Sequence, residues 1–116
     1  MDLKGKKVLV VGLARTGTAT ARFLARQGVR LKISEAKPAK EVEAARKALQ
    51  NLPVEWELGG HTIQFFGEVD LIVVSPGVPM DIDPLMQARA KGIQVISEME
   101  LAVQFLRRPL IGITGT

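Results

Sequence analysis

A Rossmann-like α/β domain, with an open, mainly parallel sheet and helices on both faces, is the fold class this sequence predicts, on three observations. Val8-Leu9-Val10-Val11 and Leu71-Ile72-Val73-Val74 are continuous aliphatic runs, as expected of strands covered on both faces. Each run ends in a glycine-bearing turn. Helical patterns separate these runs from shorter strand-like stretches, so strand and helix alternate nearly throughout, and right-handed crossovers then make the sheet parallel. The predicted central order is 3-2-1-4-5, with a final strand at an edge or leading elsewhere.

After the first strand, residues 16–27 place Gly17, Ala21 and Leu24 on one stripe and Arg22 and Arg26 on another, and Gly28 offers a left-handed stop. A short strand fits residues 31–34. Residues 40–49 bring Val42, Ala45 and Leu49 together, with Glu43 and Lys47 paired four apart outside. A strand at 54–58 follows. Between Gly59-Gly60-His61 and Phe65-Phe66-Gly67 there is room for one helical turn. Beyond the strand at 71–74, Asp83 reads as an N-cap, Pro84 as the first helical residue and Gly92 as the end. A strand at 94–96 leads into a capping box, Ser97 with Glu100, and the helix it opens should turn Met99, Ala102, Val103 and Leu106 inward. Pro109 should force the exit, and residues 110–114 should form a strand. No internal repeat, low-complexity run or linker is visible.

With 116 residues and 47% hydrophobic content, the chain fits one domain, residues 1–116, around one core. Sixteen basic and twelve acidic residues leave a formal charge of +4, but the Lys and Arg are scattered and aromatics make up only 4%. That pattern disfavours nucleic acid and suits mild attraction for an anionic small molecule. The absence of cysteine excludes a disulfide framework and any thiolate ligand or nucleophile, and agrees with a reducing compartment. The start, residues 1–7, leads into a run of only four apolar residues before Gly12, too few for a signal-peptide core or a membrane span. A soluble, cytoplasmic monomer without membrane partners is expected.

In such sheets ligands bind outside the carboxyl ends of the strands, near the point where strand order reverses. The first candidate turn is Gly12-Leu13-Ala14-Arg15-Thr16-Gly17, similar to G-x-G-x-x-G with Ala14 at the middle glycine. Gly12 allows the tight turn, Gly17 allows close helix packing, and N–H groups at the helix start favour phosphate. Thr16 reads equally as a phosphate donor or an N-cap, and Arg15 as a solvated surface residue. The second turn is Ser34-Glu35-Ala36-Lys37-Pro38; Glu35 stands 23 positions after Gly12, where a dinucleotide domain carries its ribose-binding acid. Lys37 could counter a phosphate or lie near a base, and a plain polar turn closed by Pro38 is the competing account. The third turn, Ser75-Pro76-Gly77-Val78-Pro79, is stiffer than a simple reversal requires, so its N–H groups and the Ser75 hydroxyl could face a ligand.

Other residues read as structural. His61 is the only histidine and has no cysteine beside it, so a metal site is not expected, and an ordinary exposed or capping role is. Trp56, Phe65 and Phe66 should pack. Asp70, Asp81 and Asp83 fit turns and caps, and no nucleophile, base and acid can be assembled into a catalytic set. Ile111-Gly112-Ile113-Thr114-Gly115-Thr116 reads as a buried strand entering a glycine turn, either the start of a phosphate loop or an ordinary strand end.

Taken together, Val11-Gly12-Leu13 with Thr16-Gly17, then Val74-Ser75-Pro76-Gly77-Val78, then Ser97-Glu98-Met99-Glu100-Leu101, then the Ile111 to Thr116 tail resemble the N-terminal domain of the Mur ligases. The resemblance covers essentially the whole chain in order and spacing, and the Gly-Leu-x-x-Thr-Gly turn is most similar to the branch that adds D-glutamate. It implies a three-domain cytoplasmic enzyme of peptidoglycan synthesis. The first domain would hold the uridine diphosphate of UDP-N-acetylmuramoyl-L-alanine, the second ATP and Mg2+, and the third D-glutamate. The implied reaction phosphorylates the substrate's alanine carboxylate, and the glutamate amine then attacks the acyl phosphate.

By the same resemblance, Leu13, Arg15, Thr16 and Gly17 lie in the diphosphate-contacting loop. Glu35, Ala36 and Lys37 lie around the uracil, and Ser75, Pro76 and Gly77 close over the nucleotide. Thr114, Gly115 and Thr116 would begin the ATP phosphate loop, residues 111–116 leading into an ATP-binding domain. The loop lysine, the magnesium ligands and every chemically active residue would follow Thr116. Within these residues no catalytic group, cofactor or metal ligand is therefore expected, and the domain alone should bind without catalysing. Relatives often carry Asp, Thr and Arg where Glu35, Ala36 and Lys37 stand; Ala36 has no side-chain hydrogen bond to offer, so uracil recognition there would rest on backbone or on Glu35. Gly12, Gly17 and Glu35 alone would also suit an NAD-binding module of a dehydrogenase or regulatory protein.

Overall fold

β1 (Lys7–Val11) occupies the middle of the sheet because Val8, Leu9, Val10 and Val11 are all apolar and tolerate cover on both sides; each is fully buried. The computed structural model describes residues 2–13 and 17–110, with side chains described as far as residue 105. After β1 come α1 (Gly17–Arg26), β2 (Arg30–Glu35), a 3-10 turn (Ala39–Glu41), α2 (Glu43–Ala48), β3 (Val54–Leu58) and α3 (Ile63–Phe66). Then follow β4 (Leu71–Val74), α4 (Asp83–Ala90), β5 (Gln94–Ser97) and α5 (Glu98–Leu110). The strands form one five-stranded parallel sheet in the order β3-β2-β1-β4-β5, as the sequence predicts.

Alternation along β1 divides the core in two. Val8 and Val10 join Ala21 and Leu24 of α1, Leu49 and Leu101 on one face, while Leu9 and Val11 join Phe66, Leu85 and Ala88 on the other. Full burial of each such aliphatic side chain contributes about 1.5–3 kcal/mol, so the sheet centre is the most strongly held region. The expected packing roles hold for the aromatics. Phe66 is fully buried, Trp56 and Phe65 are half-buried against the two cores, and Lys32 Nζ bonds the Phe65 carbonyl at 2.8 Å while lying 4.0 Å from that ring's centroid. No helix among the described residues is long and apolar enough to cross a membrane.

Some element details differ from expectation. The helix expected over 40–49 is divided at Val42, whose backbone (φ −122°, ψ 21°) leaves helical geometry between the 3-10 turn and α2. Asp83 is the first residue of α4 rather than its cap. The extended residue before the helix is Ile82, so Asp83 acts through its charge in the first turn and Pro84 follows it there. The capping box forms as read: Glu100 N–H donates to Ser97 Oγ at 3.0 Å and Ser97 N–H to Glu100 Oε1 at 3.1 Å. The inner face of α5 is a correction. Met99 is 76% exposed and Val103 44%, whereas Leu101 is buried and Phe105 meets Phe23 of α1 edge to face at 4.8 Å. The helix packs on the sheet beside β4 and β5, sending Leu101 into the core and Phe105 against Phe23 of α1. Nor does Pro109 end it. α5 runs to Leu110, with Pro109 inside its last turn. Leu110 is thus helical, and residues 111–114 of the expected strand lie outside the described residues.

Candidate functional site

Parallel register sets the carboxyl ends of β1, β2 and β4 side by side: Val11 pairs with Ser34 on one side and Val74 on the other. The turns that leave these strands therefore meet at one edge, where the chain crosses to opposite sides of β1. They enclose a cleft of about 390 Å3 whose lining includes Gly12, Leu13, Glu35, Lys37, His61 and Ser75, within the size range of small-molecule sites.

Glu35 closes the first turn onto the second. It ends β2, is 7% exposed, and both carboxylate oxygens accept backbone N–H groups, Oε1 from Leu13 at 2.6 Å and Oε2 from Lys37 at 2.8 Å. Charged acceptors make such bonds worth about 1.5–3 kcal/mol each, enough to hold two loops in register. The third turn is tied to the first by Ser75. Its N–H donates to the Val11 carbonyl at 2.9 Å, and its buried hydroxyl lies 2.8 Å from the Gly12 carbonyl oxygen and 2.9 Å from Glu98 Oε2, two acceptors that share one proton. Val78 N–H bonds back to the Ser75 carbonyl at 3.3 Å across Pro76 and Gly77, and Gly77 has φ +93°, the arrangement of a type II turn.

Gly12 is where these turns press together. Its φ is +90°, and a Cβ there would stand 2.8 Å from Val78 Cγ2 and 3.2 Å from Ser75 Cβ. A Cβ on Gly17 would stand 3.0 Å from the Gly12 carbonyl oxygen, which is the close helix packing expected of that glycine. Leu13, Gly17, Glu35, Ala36, Lys37, Ser75, Pro76 and Gly77 are thus assembled around one edge, Ala36 and Lys37 with exposed side chains. Arg15 and Thr16, like Thr114, Gly115 and Thr116, lie outside the described residues.

His61 departs from expectation. It is half-buried and lines the cleft, with Nδ1 2.7 Å from Ser34 Oγ and its ring edge-on to Phe66 at 5.7 Å. Ser34, fully buried, also lies 2.7 Å from Glu57 Oε1, and Glu57 accepts from both the N–H and the hydroxyl of Thr62. Burial pushes the His61 pKa below its ordinary 6.5, against the opposing charges of Glu35 and Glu57. Ser34 and Glu57 are direct register partners near the ends of β2 and β3, a proximity that arises only when the strands pair. Asp70 plays the expected turn role, accepting Lys7 N–H at 2.8 Å. Among the described residues no three His, Cys, Asp or Glu are grouped to hold a metal ion. A second groove, about 480 Å3 between α1 and α5, is mostly apolar and reaches the third turn only through Glu98.

The UDP-N-acetylmuramoylalanine–D-glutamate ligases of Geotalea daltonii and Geotalea uraniireducens are each 52% identical over the whole chain, which covers 26% of either protein. The chain therefore spans about a quarter of the length of these relatives. Among solved structures, the UDP-N-acetylmuramate-alanine ligase MurC of Thermotoga maritima superposes with a TM-score of 0.70 at 19% identity, over 89% of this chain and 23% of that one, a likeness of fold. The family model for the Mur ligase MurD-like N-terminal domain matches residues 6–97, from the start of the sheet to the end of β5, and the chain belongs to that family.

Proposed function

We propose that this domain binds the uridine diphosphate of UDP-N-acetylmuramoyl-L-alanine, within a longer cytoplasmic ligase that adds D-glutamate during peptidoglycan synthesis. The observation that carries this reading is the convergence of three turns, at Gly12, Glu35 and Ser75, on one cleft at the carboxyl edge of a MurD-like sheet. The diphosphate would lie over the turn between β1 and the start of α1, where Leu13, Arg15, Thr16 and Gly17 stand and helix N–H groups suit anions. Ribose and base would extend toward Glu35, Ala36 and Lys37, with Ser75, Pro76 and Gly77 closing the other side. Because Ala36 offers no polar side chain, the base would be read by backbone groups, by the acceptor sites that Glu35 retains beside its two loop bonds, or by a neighbouring side chain.

ATP and Mg2+ supply carboxylate activation in this reading, ahead of attack by the D-glutamate amine. No step is assigned to a residue described here, and residues 111–116, with Thr114, Gly115 and Thr116, would lead toward the ATP site. The domain acts as a monomer with no nucleic acid or membrane partner. Calorimetric titration with UDP-N-acetylmuramoyl-L-alanine tests the proposal. Saturable binding is expected, and no heat at millimolar ligand, or tight NADH binding with no response to UDP, overturns it.

A further inference from the structure

The proton positions around Ser34 follow from two short contacts. Ser34 Oγ is 2.7 Å from Glu57 Oε1 and 2.7 Å from His61 Nδ1, with the Gly60 carbonyl at 3.4 Å. A carboxylate and a carbonyl only accept, and Glu57 already receives both Thr62 donors, so the serine proton points to Glu57. The serine oxygen must then accept, which places a proton on His61 Nδ1. In the neutral ring that leaves Nε2 as a bare acceptor. Among the described residues no buried side-chain nitrogen or oxygen lacks a partner and no hydrogen bond to Nε2 occurs, so this nitrogen is reached by solvent, on a side chain that lines the cleft.

The place of His61 along the sheet edge matters equally. It follows β3, beyond the end of β2, on the side of the cleft away from the Ser75 to Pro79 turn. A nucleotide whose diphosphate lies over the β1 turn and whose ribose passes Glu35 brings its base to this end. We propose that His61 reads the base, its Nε2 accepting the imide N3–H of uracil. Cytosine presents a lone pair at N3, so two acceptors would face each other and the ring would be rejected. The inference rests on the uridine diphosphate reading and supplies the base contact that Ala36 cannot make.

Because His61 is the only histidine, long-range 1H–15N spectra report its ring without assignment. The expected apo spectrum at pH 8 is the Nδ1–H tautomer, and UDP, but not CDP, should shift Nε2 upfield. An Nε2–H tautomer, or equal shifts with both nucleotides, overturns the proposal without any variant. Titration should further show UDP preferred over CDP by about tenfold, with His61→Leu reducing that ratio to within about twofold. An unchanged ratio in a variant that still binds UDP refutes the role of His61 and leaves the uridine diphosphate reading standing. Failure of the unsubstituted protein to bind UDP removes both.

Discussion

Replacing Gly12 with alanine would test whether the β1 turn and the Ser75 turn are pressed together as tightly as the site requires. Two costs add. An L-residue at φ +90° costs about 1–2 kcal/mol, and the new methyl would sit 2.8 Å from Val78 Cγ2 and 3.2 Å from Ser75 Cβ, an overpacking worth roughly 1–3 kcal/mol. The valine methyl can turn aside only by changing its one side-chain rotamer, and Ser75 is held by its bonds to Gly12 and Glu98. About 2–5 kcal/mol is therefore expected, and for a chain of this length roughly 4 °C of melting temperature accompanies each kcal/mol. Gly77→Ala is the control, since Gly77 has φ +93° but nothing within 4 Å of an added Cβ, so only the backbone cost of about 1–2 kcal/mol applies. Scanning calorimetry should place Gly12→Ala roughly 8–20 °C below the unsubstituted protein and Gly77→Ala about 4–8 °C below. UDP affinity should fall further in the former. Equal losses in the two variants would refute the argument from close approach.

Glu35→Gln keeps the shape of the side chain but turns an amide NH2 toward a backbone N–H, at Leu13 or at Lys37. A loss of about 1–3 kcal/mol and weaker UDP binding are expected, measured by denaturant unfolding and titration; an unchanged midpoint would sink the view of Glu35 as a loop clasp. Acidification should also act through His61. Its folded pKa lies below the unfolded 6.5 because burial disfavours the charged ring, despite Glu35 on β2 and Glu57 on β3, so the unfolded chain binds the proton first. The contribution is fully present above pH 6.5 and is lost as pH falls from 6.5 through the lowered folded value. Between pH 7.5 and 5.5 the melting temperature should fall less for His61→Asn than for the unsubstituted protein, and identical slopes would contradict the shift.

Strand positions and their order were readable in the sequence because aliphatic runs and glycine turns are local signals. Leu71-Ile72-Val73-Val74 matches β4 from end to end, and residues 54–58 match β3. The face of α5 was not readable by the same means. Met99, Ala102 and Val103 form one apolar stripe and Leu101 with Phe105 another, and periodicity alone cannot say which of them meets α1. His61 was missed for a related reason. Its surroundings are assembled from Ser34, Glu57 and Phe66, and only pairing of β2 with β3 makes them neighbours. Glu35 was visible as an acid at the expected distance from Gly12, yet its two bonds to backbone N–H groups depend on turn geometry that composition does not encode.

The Ser75 hydroxyl joins more than two turns. Glu98, its second acceptor, is the first residue of α5, and the Ser97–Glu100 cap fixes the direction in which that helix leaves the sheet. A helix of 13 residues is about 20 Å long, so a tilt of about 5° at Glu98 carries the Leu110 end through roughly 2 Å. The edge where the three turns meet thus sits at the pivot of a rod, and a sub-ångström adjustment of the Ser75 turn would be magnified at the far end of α5.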